Sequence, residues 1–114
     1  MPSFRVDAVD IRAMAQLGMT KLRGGDARAA REAFDKIVAA READASIYLA
    51  LAIACQQLND QAGMHIAIEA ALAREPQNLR TLMMKADYCR KQGDERASTA
   101  YYLQVMKKIG RAHV

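Results

Sequence analysis

A period of 34 residues is the feature that most constrains how this chain can fold. Two ladders of Asp and Asn repeat at that spacing: Asp10, Asp44 and Asn78, and Asp26, Asp60 and Asp94. Asp and Asn favour helix starts, because their short side-chain oxygens accept a hydrogen bond from a free backbone N–H of the first turn. Two such positions in each period predict two helices per repeat, and therefore a stack of helical hairpins.

Three repeats follow a leader at residues 1–10, which is a candidate extension of the first helix, and they cover residues 11–44, 45–78 and 79–112. The first helix of each repeat is predicted at 11–23, 45–57 and 79–91, and the second at 27–41, 61–74 and 95–109. Gly or Asn precedes the Asp between the two helices, as expected where a left-handed residue ends one helix and Asp starts the next. No segment alternates in hydropathy with period two, so the predicted class is all-α.

The composition favours a folded chain in water over a disordered or membrane-spanning one. Apolar residues make up 52% of the chain and charged residues 26%, and no apolar run approaches the roughly 18 residues that span a bilayer. The N-terminal residues lack the apolar stretch of a secretory signal, so we predict a cytoplasmic location. The formal charge of +4 comes without clustered basic and aromatic residues, so we expect neither nucleic acid nor membrane as a partner.

Residues suited to catalysis or metal binding are few and scattered. His65 and His113 belong to no metal-ligand or nucleophile motif, and no phosphate-binding glycine pattern occurs. Cys55 and Cys89 occupy equivalent positions in successive repeats, where helix axes about 8–10 Å apart keep the Cα atoms beyond disulfide reach. We therefore predict two buried free thiols, no cofactor, no metal and no enzymatic activity.

The repeats resemble tetratricopeptide repeats in the residues at their packing positions. Small residues recur at position 8 and larger ones at position 24, in the sets Gly18, Ala52 and Ala86, and Phe34, Ile68 and Tyr102. Pro76 stands where the family places its proline. The resemblance covers residues 11–112 without insertion. It implies a right-handed superhelical stack of three antiparallel hairpins that acts as a protein-interaction scaffold.

Some residues depart from the family pattern: Lys21, Glu42, Met64, Lys85 and Gly110. Met64 is larger than the family favours and would widen the second repeat. Lys85 stands at position 7, which is normally buried. It either extends along the helix surface, as long charged side chains do, or marks a repeat that packs on an unusual neighbour.

The resemblance also implies a concave groove lined by the first helix of each repeat. The candidate peptide-binding residues are Arg12, Ala15, Met19, Leu22, Leu49, Ile53, Arg80, Met83, Met84, Asp87, Arg90 and Lys91. An apolar centre rich in Met accepts varied apolar side chains, and the basic rim favours acidic flanks. The expected partner is a protein or peptide with apolar anchors and acidic flanks. Alternatively, the same residues pack against the leader, a following segment or a second copy.

The last helix is apolar over much of its circumference, and arrays of this type usually end in an additional covering helix. Residues 110–114 are too short to form one. We therefore predict an oligomer or docking surface at Tyr101, Tyr102, Val105, Met106 and Ile109, with a homodimer as one outcome. An alternative function is that of a non-catalytic N-terminal module of a larger bacterial enzyme. The segment is similar to arrays that precede sulfotransferase or aspartyl/asparaginyl β-hydroxylase domains.

Overall fold

Six α-helices make up residues 8–112, the part of the chain that the computed structural model describes. They are α1 (Ala8–Arg23), α2 (Ala27–Ala39), α3 (Ala45–Gln57), α4 (Gln61–Arg74), α5 (Leu79–Lys91) and α6 (Glu95–Ala112). No strand occurs in that range, so the predicted all-α class is confirmed. Most of the predicted leader, residues 1–7, lies outside the described residues, as does His113.

Helices α3, α4 and α5 have the bounds that the sequence predicted, whereas the other three differ at one end. Helix α1 begins at Ala8, so Asp10 lies inside its first turn and the prediction of a cap at Asp10 is wrong. A carboxylate in the first turn still interacts favourably with the positive end of the helix dipole. Helix α6 continues to Ala112, beyond the predicted end at residue 109.

The predicted end of α2 at residue 41 is also wrong, because the helix stops at Ala39. Arg41 adopts a left-handed conformation with φ of 60°. Its N–H donates to the carbonyl of Val38, and the N–H of Glu42 donates to the carbonyl of Ile37. This paired pattern closes many helices, usually with Gly or Asn at the left-handed position. Arg at that position gave no signal in the sequence.

The five remaining Asp and Asn ladder positions cap helices as predicted. Each accepts a hydrogen bond from the backbone N–H three residues later, at 2.9–3.1 Å. The pairs are Asp26 with Ala29, Asp44 with Ile47, Asp60 with Gly63, Asn78 with Thr81, and Asp94 with Ala97.

The three turns inside the hairpins share one geometry. The residue before each Asp is left-handed, with φ of 85° at Gly25, 59° at Asn59 and 82° at Gly93. The N–H of each following Asp donates at 2.9 Å to the carbonyl five residues earlier. Each Asp therefore closes one helix through its N–H and caps the next through its carboxylate. Turns this short fold the two helices back on each other as an antiparallel pair.

The helices pack mainly on their neighbours in the chain. Helix α1 packs on α2, α3 on α4 and α5 on α6, and the hairpins join through α2 with α3 and through α4 with α5. The α4–α5 contact is the smaller of the two junctions. One core cluster joins the first two hairpins and contains Phe34, Ile37, Leu51 and Ile68. The buried Leu82, Ala86, Cys89 and Val105 of the third hairpin are not part of it.

The small residue at position 8 allows a close approach within the first hairpin. A Cβ atom added at Gly18 would lie 2.6 Å from Cε1 of Phe34, closer than real Cβ contacts allow. Ala52 and Ala86 at the equivalent positions are fully buried. The close helix crossing predicted for this position is therefore present at Gly18.

Candidate interaction surface

A shallow depression of about 250 Å³ lies where α1 meets the start of α3. It is lined by Arg12, Ala15, Gln16, Met19, Arg23, Ser46 and Ile47. Arg12, Ala15 and Met19 belong to the predicted groove set, and Gln16, Arg23 and Ser46 stand at positions 6, 13 and 2 of their repeats, which the resemblance also assigns to the groove. The structure therefore brings these α1 residues together with the first turn of α3.

The other predicted groove residues are Leu22 on α1 and the members on α3 and α5, and none of them lines this depression. Met83 is 47% exposed and Met19 is 36% exposed, so both thioethers are open to a ligand. Leu49 and Ile53 are half-buried. Three other half-buried groove residues pack against the core cluster: Ala15 and Leu22 on α1, and Met84 on α5. These three side chains therefore stabilise the fold in addition to lining the predicted groove.

The basic residues predicted at the rim are exposed: Arg12, Arg80, Arg90 and Lys91. Among the side chains that the structure describes, Arg12, Arg80 and Lys91 pair with no carboxylate. Arg90 lies 3.5 Å from Asp87. Within residues 8–112, an acidic ligand can therefore approach three of the four cations without breaking an ion pair.

Asp87 is engaged within its own hairpin. The hydroxyl of Tyr102 donates a hydrogen bond to its Oδ1 atom, linking α5 to α6. That bond to a carboxylate raises the pKa of Tyr102, because it favours the protonated phenol. Asp87 and Tyr102, which the sequence assigned to two different surfaces, are thus in contact with each other.

The predicted docking surface on α6 divides into exposed and buried members. Met106 is 65% exposed and Ile109 is 43% exposed. Tyr101 and Tyr102 are half-buried, and Val105 is buried at 5% exposure, so its side chain belongs to the interior of the hairpin. Leu103, which the prediction omitted, is 52% exposed and lies beside the exposed members.

Lys85 lies at the junction of the second and third hairpins and is only 9% exposed. Its ammonium pairs with Glu69 of α4 and lies 5.8 Å and 5.9 Å from the ring centroids of Tyr88 and Tyr101. Beside it, His65 stacks on Tyr88 with centroids 4.8 Å apart. The sequence showed Lys85 as anomalous but gave no signal for its partner, because Glu69 is 16 residues away.

A second feature that sequence reasoning missed is a depression of about 560 Å³ at the linker between α4 and α5. Lys108 of α6 reaches it and donates a hydrogen bond to the backbone carbonyl of Gln77. Lys108 also lies in the last turns of α6, where a cation complements the negative end of the helix dipole. In the sequence, Lys108 is recognisable only as part of a basic stretch, beside Lys107. That pattern does not indicate a hydrogen bond to the linker.

Cys55 and Cys89 are buried free thiols, as predicted. Burial raises the pKa of Cys55, which disfavours the reactive thiolate. Among the described residues, no group of three or more His, Cys, Asp and Glu side chains could hold a metal ion. Within the same range, each helix is either too short or too polar to cross a membrane.

Comparison with protein-family models gives no match to this chain, and comparison with curated proteins gives no significant match.

Proposed function

We propose that this chain is a stack of three tetratricopeptide-type hairpins that binds a peptide or helix of another cytoplasmic protein along its first helices. The proposed arrangement is a right-handed superhelix, with α1, α3 and α5 forming the binding groove. Three observations support this type of repeat: the shared turn geometry, the cap ladder and the close contact of Gly18 with Phe34.

The observation that carries the proposal is the depression between α1 and α3. All of its lining residues except Ile47 stand at groove positions of the repeat, and they meet around one concavity. The exposed thioether of Met19 offers an adaptable apolar contact, and Arg12 and Arg23 flank it. A ligand that fits carries an apolar anchor with Asp or Glu nearby.

The remaining cations extend this chemistry along the proposed groove. Arg80 and Lys91 lie at the two ends of α5, with the exposed Met83 between them. A bound segment that continues from α1 to α5 would therefore meet apolar contacts at its centre and positive charge at its edges. The affinity should fall as salt is added, because exposed charges are screened within about 10 Å at 0.1 M ionic strength.

The test is selection from a random peptide library displayed on phage, followed by affinity measurement on synthetic peptides. We expect selected sequences with apolar residues at helical spacing and an excess of Asp and Glu. The double variant Ile53→Asp with Met83→Asp should lose binding, since it places negative charge on the apolar centre. Both positions are half-buried or exposed, so circular dichroism should show an unchanged helix content.

Ile66→Asp is the matched control, because Ile66 is 69% exposed on α4, outside the proposed groove. It should bind the selected peptides as the wild type does. Binding that survives the double variant, or that Ile66→Asp abolishes, would place the site elsewhere. Selection of basic peptides would contradict the proposed role of the arginines.

A further inference from the structure

Position 7 of the repeats separates the first hairpin from the other two. Leu51 and Lys85 at this position are 8% and 9% exposed, whereas Leu17 is 52% exposed. Lys85 is covered by the preceding hairpin, since its ammonium pairs with Glu69 on α4. Helix α1 has no preceding hairpin within residues 8–112. Leu17 and Met14 line a depression of about 170 Å³ between α1 and α2, whose edge also carries Lys21, Glu32 and Lys36.

Position 25 shows the converse pattern on the second helices. Asp35, Glu69 and Leu103 occupy it in successive repeats. Glu69 contacts the following hairpin through Lys85, whereas Leu103 is 52% exposed. Met106 lies nearly one turn further along α6 and is 65% exposed. The residue at this position is thus apolar only in the last repeat, where the described chain offers no following hairpin.

The contacts inside the molecule show which residues meet when one hairpin follows another. Lys85 with Glu69 joins position 7 to position 25 of the preceding repeat. Arg31 with Asp60, at 2.9 Å, joins position 21 to position 16 of the following repeat. Each contact occurs at one of the two junctions, and together they indicate which repeat positions face each other when one hairpin stacks on the next.

We propose that copies of this chain stack head to tail, with the α6 face of one copy on the α1 face of the next. The same pairing of positions places Leu103 of one copy on Leu17 of the next, an apolar pair in place of the internal ion pair. It also places Thr99 opposite Asp26, the positions that Arg31 and Asp60 occupy inside the molecule. At these two pairs of positions the end faces are compatible, since one pair is apolar and the other brings no like charges together.

This contact is heterologous, since it joins two different surfaces, and it therefore continues into open chains rather than closing as a dimer. The contact between two copies buries only one hairpin face on each, which is a small area for a protein interface. The association should therefore be weak and concentration-dependent. It uses the ends of the stack and leaves the proposed groove free. The groove variant Ile53→Asp with Met83→Asp should therefore associate as the wild type does.

Sedimentation equilibrium at increasing concentration tests the proposal. The weight-average mass of the wild type should rise from 12.6 kDa past twice that value as concentration increases. Leu17→Glu and Leu103→Glu should each stay monomeric, because each places a charge in the apolar contact. Both side chains are half exposed, so the variants should keep their helical circular dichroism.

An equal mixture of the two variants is the decisive sample. The intact α6 face of Leu17→Glu can dock on the intact α1 face of Leu103→Glu, so the mixture should form dimers and nothing larger. Ile66→Glu, a charge at an exposed position away from both ends, should associate as the wild type does. A wild type that stays monomeric throughout would overturn the proposal. So would a Leu17→Glu variant that dimerises alone, since it would show that two α6 faces pair with each other.

Discussion

At the residue scale, Gly18 sets how closely the helices of the first hairpin approach. The ring of Phe34 occupies the space that a side chain at Gly18 would need, and Phe34 is itself fully buried and part of the core cluster. The ring cannot move aside without displacing its neighbours, because protein interiors are packed as densely as organic crystals. The chain offers a contrasting glycine in Gly110, which lies in α6 with open space around it.

Substitution at these two glycines should therefore change stability in opposite directions. Gly18→Leu should lower the free energy of unfolding by about 1–3 kcal/mol, through overpacking against Phe34. Gly110→Ala should raise it by about 0.5–1 kcal/mol, because Ala loses less backbone entropy in a helix. Urea titration of both variants measures the difference. An equal change in the free energy of unfolding for the two variants would contradict the close contact of Gly18 with Phe34.

Asp44 is the residue whose titration should respond to a single neighbour. The hydroxyl of Ser46 donates to it at 2.7 Å and is the main cause of its lowered pKa, from an ordinary value of 3.8. The folded state therefore favours the carboxylate, and this stabilisation is present above the ordinary pKa and lost as pH falls through the lowered one. Ser46→Ala should raise the pKa of Asp44, as measured by carboxyl NMR titration. An unchanged midpoint would rule out Ser46 as the cause.

At the element scale, Asp60 joins three parts of the fold. Its N–H closes α3, its Oδ1 atom caps α4, and its Oδ2 atom lies 2.9 Å from Arg31 of the preceding hairpin. The cap satisfies a free backbone donor, whereas the ion pair is partly exposed and screened by solvent. The cap should therefore contribute more to stability than the ion pair does.

Two substitutions at Asp60 separate these contributions. Asp60→Asn keeps a capping oxygen and loses the ion pair, so the free energy of unfolding should fall by about 0–1 kcal/mol. Asp60→Ala loses both, and should cost about 0.5–2 kcal/mol more. Thermal melts of the two variants, with Arg31→Ala as a measure of the ion pair alone, test this order. An Asn variant as unstable as the Ala variant would show that the ion pair dominates.

At the scale of the whole molecule, the two hairpin junctions differ in chemistry. Each junction has an ion pair, Arg31 with Asp60 at the first and Lys85 with Glu69 at the second. The first junction is also part of the apolar core cluster, whereas at the second the buried Lys85 stands where Leu51 stands in the repeat before. The second junction also has the smaller helix contact. A junction with less apolar burial opens at lower cost, so the third hairpin should be the least stable part of the fold.

Hydrogen exchange with mass-spectrometric detection tests this order. Amides of α5 and α6 should exchange faster than those of α2 and α3. Lys85→Leu should slow exchange in the third hairpin, because it places an apolar residue at the position that Leu51 occupies in the second repeat. Glu69 then loses its partner but stays half exposed to water, so its charge is not left buried. Lys85→Ala should speed it, since each buried CH₂ removed costs about 0.8 kcal/mol. Uniform exchange across the three hairpins would contradict the difference between junctions.

The sequence by itself determined where most helices begin and end. A cap hydrogen bond spans four residues and a left-handed helix end spans six, so short stretches such as Asn59-Asp60 carry the whole signal. The end of α2 was missed because Arg41 takes a conformation that its type rarely adopts. Tertiary structure alone decided the contacts of Asp87 with Tyr102 and of Lys85 with Glu69, whose partners are 15 and 16 residues apart. It also decided that Leu17 is exposed where Leu51 is buried, because burial at one repeat position depends on whether another hairpin packs against it.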